Sequence, residues 1–394
     1  MKIGVNARFL NHPYTGIGQY TRYLFDALAS QNPDAQFLMV VPEHAKAAPA
    51  AAEFKLPQNA HIIILPEKFP GSSGMRKTYW EQFQLPQFFR KHNVDIMHFP
   101  YPSNPWHSPA RSETGTPTIV TVHDVIPWVM PEYRRRVATR LYQDRCKNAL
   151  KSADRILTVS EASKFDVIST CQIPESKITV IYNGVAPQFL KKIPTDHRTK
   201  IIQKYGINPN RPFFLYTGGY DERKNVRQII DVFIEKIAPN YEIDLVLAGG
   251  KSLQAKLYES FDYLTKKSGS GNFSSLKGKL ITTGFVDEED FPALYQSCYA
   301  FLSLSKKEGF NLPLLEAAVS GSTIICSNIP VHHEVVDKAA IFCDQDNETA
   351  LAEILTKLIT DQNFYSSQKN LHFSSPFSWD KSAREVMNIY NQLI

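Results

Sequence analysis

AFLSLSKKEGFNLPLLEAAVSGSTIICSN (Ala300–Asn328) sets two short apolar runs, Ala300–Leu304 and Thr323–Ser327, on either side of one helical stretch, Pro313–Ser320. Pro313 suits the first helical turn and Gly321 its end. Strand, helix and strand in so short a span predict a parallel pair with a helical crossover. The loop between carries Glu308, eight positions before Glu316. Asn311 is expected to cap the helix, leaving N–H groups near Leu312–Leu314 pointing outward as an anion seat. Glu316 is expected in the first turn. Two carboxylates flanking such a seat can grip hydroxyls on both sides of a phosphate, such as a sugar and a ribose.

The same alternation extends in both directions. Strands are predicted at Lys2–Asn6, Gln36–Val41, His61–Leu65, Ile96–Phe99, Thr118–Val122 and Arg155–Val159. A second set falls at Phe213–Thr217, Asp244–Ala248, Leu280–Thr283, Ala300–Leu304, Thr323–Ser327 and Ala340–Cys343. Helical patterns lie between them, near Gln19–Ser30, Lys77–His92, Ser160–Thr170, Val226–Ile237, Phe291–Cys298, Pro313–Ser320 and Thr349–Thr360. The fold class is therefore α/β, with two successive doubly wound units joined around Val185–Pro209. The first domain is placed at residues 1–187 and the second at 188–376. Open sheets of this kind bind ligands beyond the carboxyl ends of their strands. Two of them facing each other would form a cleft.

A length of 394 residues with 43% hydrophobic and 21% charged content fits two domains, each with its own core. Aromatic residues at 12% exclude disorder, and a net charge of +5 is too small to announce nucleic acid. The start, MKIGVNARFL, has no apolar core of signal-peptide length, and the longest apolar runs are of strand length. Cys146, Cys171, Cys298, Cys326 and Cys343 form no C-x-x-C pair, which fits reduced thiols in a cytosol. On that reading the sequons at Asn272 and Asn347 are chance matches. The runs Ala45–Glu53 and Lys266–Ser275 are read as surface loops. Residues 133–151 hold Arg134, Arg135, Arg136, Arg140, Arg145, Lys147 and Lys151 against Asp144 alone, with Leu141, Tyr142 and Leu150 interleaved. Such a helix is basic and amphipathic. It can lie on an anionic membrane surface, though a solvated helix face fits equally.

Three more motifs fall at strand ends. In TGIGQYTRYLFDAL (Thr15–Leu28), Gly16 and Gly18 open a helix; a phosphate site and a plain turn both fit, and Thr21 breaks the dinucleotide pattern. In TVHDVIP (Thr121–Pro127), His123 follows a strand directly; it can donate to a ligand or be fixed by a neighbouring carboxylate. In FFLYTGGYDERKN (Phe213–Asn225), a strand runs into Gly218 and Gly219 and then Arg223 and Lys224. Two fixed cations there suit a diphosphate and can neutralise a leaving group without a metal. Asp344-Gln345-Asp346 has the spelling of a metal-binding D-x-D, but Asp346 or Asn347 reads more simply as a helix cap.

These motifs, with KTYWEQFQLP, MHFPYPSNP, ILTVSEASK, IYNGV, LVLAGG, TGFVDEEDFPALYQSC and SNIPVHHEVV, carry a resemblance along nearly the whole chain. It resembles the retaining GT-B glycosyltransferases of the family four group, and among them the bacterial mannosyltransferases of O-antigen and surface-polysaccharide synthesis. The resemblance implies two Rossmann-like domains, acceptor-binding and donor-binding, with a last helix at 377–394 packing back on the first. It implies that Glu308 contacts the donor sugar hydroxyls and Glu316 the ribose, that Arg223 and Lys224 sit by the diphosphate, and that His123 lines the sugar pocket. Gly16 would lie near the reacting phosphate, and Gly284, Phe285 and Val286 would border the base. Gly18, Gly218, Gly219, Phe310, Asn311 and Leu312 complete the implied donor site; Gly219 stands where many relatives carry an arginine. The implied reaction moves a hexose, mannose from GDP-mannose, to a hydroxyl of a glycan or lipid-linked glycan, with retained configuration and no metal or other cofactor. The setting expected is the cytoplasm, either free or peripheral on the cytoplasmic face of the inner membrane. UDP- or dTDP-sugar donors, an epimerase or phosphorylase on the same architecture, and an inactive scaffold subunit are the alternatives.

Overall fold

The apolar runs become strands almost residue for residue. In this computed structural model, residues 1–43, 56–106, 115–249, 276–369, 371 and 373–394 are described. The runs Ala45–Glu53 and Lys266–Ser275, with Asn272, lie outside the described residues. The chain divides into one unit of Met1–Gly184 with Phe377–Ile394 and a second of Val185–Pro376.

In the first unit β1 (Lys2–Asn6), β2 (Gln36–Pro42), β3 (Ala60–Leu65), β4 (Ile96–Phe99), β5 (Thr118–Val122), β6 (Arg155–Thr158) and β7 (Ile178–Val180) form one sheet. Its order is β3-β2-β1-β4-β5-β6-β7, and every pairing is parallel. β7 was not expected: three residues at a sheet edge are too few to show a period. In the second unit β8 (Phe213–Thr217), β9 (Asp244–Ala248), β10 (Leu280–Gly284), β11 (Ala300–Ser303), β12 (Ile324–Ser327) and β13 (Ile341–Cys343) are ordered β10-β9-β8-β11-β12-β13. These too pair in parallel. β5, β8 and β9 are buried at every residue, as a sheet covered on both faces requires.

The helices used below are α1 (Gly16–Gln31), α2 (Val137–Ala149), α3 (Glu161–Cys171), α4 (Val226–Val232), α5 (Phe291–Ser297), α6 (Leu312–Val319), α7 (Pro330–Val336), α8 (Glu348–Thr360) and α9 (Trp379–Leu393). Ile229, Phe233, Leu351 and Leu355 pack on Leu245, Leu302 and Ile325 to build the second core. In the first, Trp80, Leu85 and Phe89 pack on Met97, Phe99 and Val120. The helix expected at Lys77–His92 starts earlier, at Ser73, and widens to a π turn over Trp80–Gln84. Pro86 accounts for the widening, since it lacks the N–H that would close on the Gln82 carbonyl.

α9 returns to the first unit. Ser378 caps it by accepting from the Lys381 N–H (3.2 Å). Trp379 stacks on Tyr23 of α1 with centroids 6.0 Å apart, and Gln31 Nε2 donates to Asp380 Oδ1 at 3.0 Å.

Strand order reverses between β1 and β4 in one sheet and between β8 and β11 in the other. Ligands of open α/β sheets sit beyond the carboxyl ends of the strands at such a reversal. In the second unit those ends are Thr217, leading into Gly218, and Ser303, leading to Glu308.

Candidate active site

The second unit gathers its charges at that reversal. Gly218 has φ +141°, a region glycine alone enters freely. It turns the chain out of β8, and the Tyr216 hydroxyl donates to the Gly219 carbonyl at 2.6 Å. The following turn, Glu222–Lys224, brings two cations onto one carboxylate. Arg223 Nη1 lies 2.8 Å from Glu308 Oε2, and Lys224 Nζ lies 2.5 Å from Oε1. The Lys306 N–H donates to the Arg223 carbonyl at 2.7 Å, tying the two loops together. Burial acts to raise the Glu308 carboxyl, but Lys224 and Arg223 outweigh it and hold the pKa down at about 2. Glu308 is therefore ionised at every ordinary pH.

Glu316 has the opposite character. It lies in the second turn of α6, not the first, because the helix begins at Leu312. The Tyr295 hydroxyl, from α5, donates to Glu316 Oε2 at 3.2 Å and pairs with Thr217 Oγ1 at 3.0 Å. Burial pushes this carboxyl up to about 8, and the tyrosine bond offsets only part of the shift. Near neutrality one carboxyl of the pair is charged and the other protonated, a separation set wholly by surroundings.

Asn311 corrects the expected cap. It is left-handed (φ +74°) and makes no side-chain capping bond. Its Nδ2 donates instead to Ser303 Oγ and His332 Nε2, each at 2.9 Å. The Leu314 N–H donates to the Asn311 carbonyl at 3.0 Å, so it is not part of an outward anion seat. Phe310, Asn311 and Leu312 are all buried. Gly284 ends β10, followed by exposed Phe285 and buried Val286. With β9 between β10 and β8, they lie two strand spacings, roughly 10 Å, from the Gly218 turn. Asp344 Oδ1 accepts from the Asp346 N–H at 3.0 Å and Asn347 caps α8, accepting from Ala350 at 2.9 Å. Among the described residues no cluster of three or more His, Cys, Asp or Glu side chains could hold a metal.

In the first unit the residues read as site residues are neutral, while Arg8, just past β1, pairs with Glu67 at 2.7 Å. Thr15 caps α1, its Oγ1 accepting from the Gly18 N–H at 3.1 Å, so that amide is not offered to an anion. Gly18 is required for a different reason: a Cβ there would lie 2.2 Å from the His12 carbonyl oxygen. At Gly16 a Cβ would meet nothing within 4 Å. His123 is fixed by a carbonyl and not by the expected carboxylate. Its Nε2–H donates to Pro100 O at 2.9 Å, while Asp124 Oδ1 accepts from the Ile126 N–H at 2.8 Å. Burial pushes the imidazole down to about 4, so the ring is neutral and Nδ1 carries a lone pair. The Tyr20 ring stands edge-on to it, 4.7 Å between centroids.

Sequence reading missed the groups behind these residues. Tyr390 pairs with His98 Nδ1 (2.6 Å), His98 Nε2 with Thr121 Oγ1 (3.0 Å), and Thr121 with the Tyr20 hydroxyl (2.9 Å). Glu81, fully buried on the π turn, accepts from Tyr101 at 2.5 Å and Tyr142 at 2.7 Å. Tyr142 and Leu150 thus face inward from the basic segment, whereas Val137 and Leu141 stand exposed beside Arg136 and Arg140. Arg134 pairs with Asp144 at 2.7 Å. No pattern along the chain signals these partners, because each lies on another element.

Comparison with known proteins identifies the family and the fold. Residues 14–189 match the family model "Glycosyltransferase Family 4" and residues 197–372 match "Glycosyl transferases group 1", so the two together cover the chain from 14 to 372 apart from 190–196. O-antigen chain mannosyltransferase B of Escherichia coli is 24% identical over 405 aligned residues, spanning 100% of both chains. Among solved structures, sucrose-phosphate synthase from Thermosynechococcus elongatus superposes with a TM-score of 0.74 at 19% identity, over 100% of this chain and 99% of that one. Anabaena HepE, in complex with UDP and glucose, gives 0.69 at 17% identity over 100% of both.

Proposed function

The chain belongs to the GT-B glycosyltransferases, and from that membership we propose that it moves a hexose, mannose from GDP-mannose, to a hydroxyl of a lipid-linked glycan with retention of configuration. The observation that carries the donor site is the Arg223–Glu308–Lys224 ion triad at the β8/β11 reversal. A leaving diphosphate gains negative charge as the glycosidic bond breaks, and two cations fixed in advance stabilise that charge without reorganising. Glu308, freed from one cation by the incoming phosphate, turns its oxygens to sugar hydroxyls. Protonated Glu316 both donates and accepts, which suits a ribose diol. The reading needs no metal, since the cations supply the charge.

Retention follows if the leaving phosphate takes the acceptor proton on the same face of the sugar. Glu316 is a poor nucleophile in its protonated state, and Glu308 is held by two cations. The pair therefore does not suit the double displacement of a retaining glycosidase. In the first unit, His123 offers Nδ1 as a neutral acceptor for a sugar hydroxyl.

The deciding experiment is thermal unfolding with GDP, UDP, dTDP or ADP, without metal. A ligand at about 100 times its Kd stabilises by roughly 2.7 kcal/mol. Selective stabilisation by GDP is expected. A selective response to UDP or dTDP replaces the donor and keeps the reaction, and no response to any of them removes the donor site.

We also assign the exposed face of α2 to a membrane surface on the cytoplasmic side. Val137 and Leu141 are 61% and 57% exposed, with Arg136 and Arg140 exposed beside them. Each near-surface arginine contributes about 1 kcal/mol on anionic lipid. Among the described residues no helix is long and apolar enough to cross a membrane. Co-flotation with anionic but not zwitterionic vesicles, lost in Arg136→Glu/Arg140→Glu, is the expected result.

A further inference from the structure

We propose that His332 is a positioning residue for the donor site, acting through Asn311 on both carboxylates. His332 lies on α7, fully buried, and touches neither Glu308 nor Glu316 through a hydrogen bond. Its ring state follows from its partners. Nδ1 is 3.0 Å from the Ser327 carbonyl oxygen, which can only accept, so Nδ1 carries the hydrogen. Ser327 Oγ, 3.1 Å from the same nitrogen, spends its own hydrogen on the Ser305 carbonyl at 2.5 Å. Nε2 is left with a lone pair, and it accepts the Asn311 amide at 2.9 Å.

Asn311 needs that support. Its φ of +74° is a left-handed conformation that asparagine enters more readily than other non-glycine residues, but still at a cost that glycine does not bear. Its amide is divided between Ser303 Oγ at the end of β11 and His332, and neither bond caps α6. The residue is also the pivot between the two acids. Glu308 lies three positions before it and Glu316 five after, and its carbonyl accepts the Leu314 and Leu315 N–H groups that open α6. Releasing the amide lets the backbone at 311 leave the left-handed region. The Glu308 loop and the start of α6 then turn relative to each other, and Glu308 moves off Arg223 and Lys224. His332 thus holds the geometry of the triad while making no contact with the donor.

The inference rests on the donor-site reading above, and the test separates the two. GDP, UDP, dTDP and ADP are titrated into the full chain, unaltered or carrying His332→Leu, His332→Gln, Asn311→Gly, or Asn311→Gly with His332→Leu, with melting followed alongside. Glycine enters the left-handed region without side-chain help. His332→Leu is therefore expected to weaken binding about tenfold in the native background and less than about twofold in the Asn311→Gly background. His332→Gln, whose amide oxygen can take the place of Nε2, is expected to stay within about threefold of the native protein. Should His332→Leu alone fail to fold, recovery of folded protein in the Asn311→Gly background reads the same coupling. Equal losses in both backgrounds, or failure to fold in both, make His332 plain core packing and overturn the proposal. If the unaltered protein binds none of GDP, UDP, dTDP and ADP, the donor-site reading falls and the positioning role with it.

Discussion

The two sheets reverse strand order in the same way, yet the candidate site residues at their carboxyl ends differ in kind. In the second unit a buried carboxylate is met by two cations, and Glu308 stays charged. In the first, which also holds the Arg8–Glu67 ion pair, His98 is buried and His123 partly so; both are driven neutral, to about 3 and about 4, and hydroxyls and carbonyls complete their bonds. The topology supplies a position in both cases. What can be done there depends on whether the sequence supplies charges in opposed pairs or groups that can give up their charge. A transferred phosphate needs the first kind, and sugar hydroxyls are well served by the second.

The comparison is broken most directly at the charges. Lys224→Ala and Glu308→Ala are each expected to abolish measurable transfer, a loss of at least about 10²–10³-fold, with circular dichroism unchanged. Two variants still active with the proper donor and acceptor would show that the ion triad is structural.

Glu316 sharpens it next. Its pKa is raised on folding, from 4.5 to about 8. The folded state thus binds a proton the unfolded state has lost, and the stability it contributes is complete below pH ~4.5 and declines as pH rises through ~8. Glu316→Gln should remove that decline, a difference of a few kcal/mol at most, read by urea titration across this range. Parallel curves for the two proteins would place the Glu316 carboxyl in water.

In the first unit the demands at α1 are steric. Gly18→Ala drives a Cβ onto the His12 carbonyl and should cost about 1–3 kcal/mol, whereas Gly16→Ala should change stability by less than about 0.5 kcal/mol. Equal melting temperatures for the two variants would refute the packing seen at α1. The smallest effect belongs to the hydroxyl chain: Tyr390→Phe removes one buried bond, to His98, and should cost about 1 kcal/mol by chemical denaturation.

Much of this was legible along the chain. Strand ends fell within a residue or so of their expected places because many apolar runs stop at a turn-forming or polar residue, as at Pro66, Pro100, Gly218, Asn328 and Asp344. Charges set just past a strand, as in GGYDERKN and KKEGF, marked the site for the same reason. What could not be read is which side chain answers which. Asn311 looked like a cap because its type and place before Pro313 allow one, but a partner 21 residues on claimed its amide. Glu316 looked charged, and only the burial around it, against the Tyr295 bond, keeps it protonated. Tyr390 meets His98 across 292 positions, a pairing no local pattern encodes.

The path of the chain carries a consequence for biogenesis. The first unit opens with β1 but is completed by α9, whose Val386 and Tyr390 have no exposed surface. In gene order the whole second unit is inserted between these parts. A ribosome therefore delivers the second unit in full before the first can close over α1, and the earliest-made unit is the last to mature. Until α9 arrives, the apolar strip it covers on α1 stands open. That interval is when a nascent chain of this kind most needs a chaperone's cover.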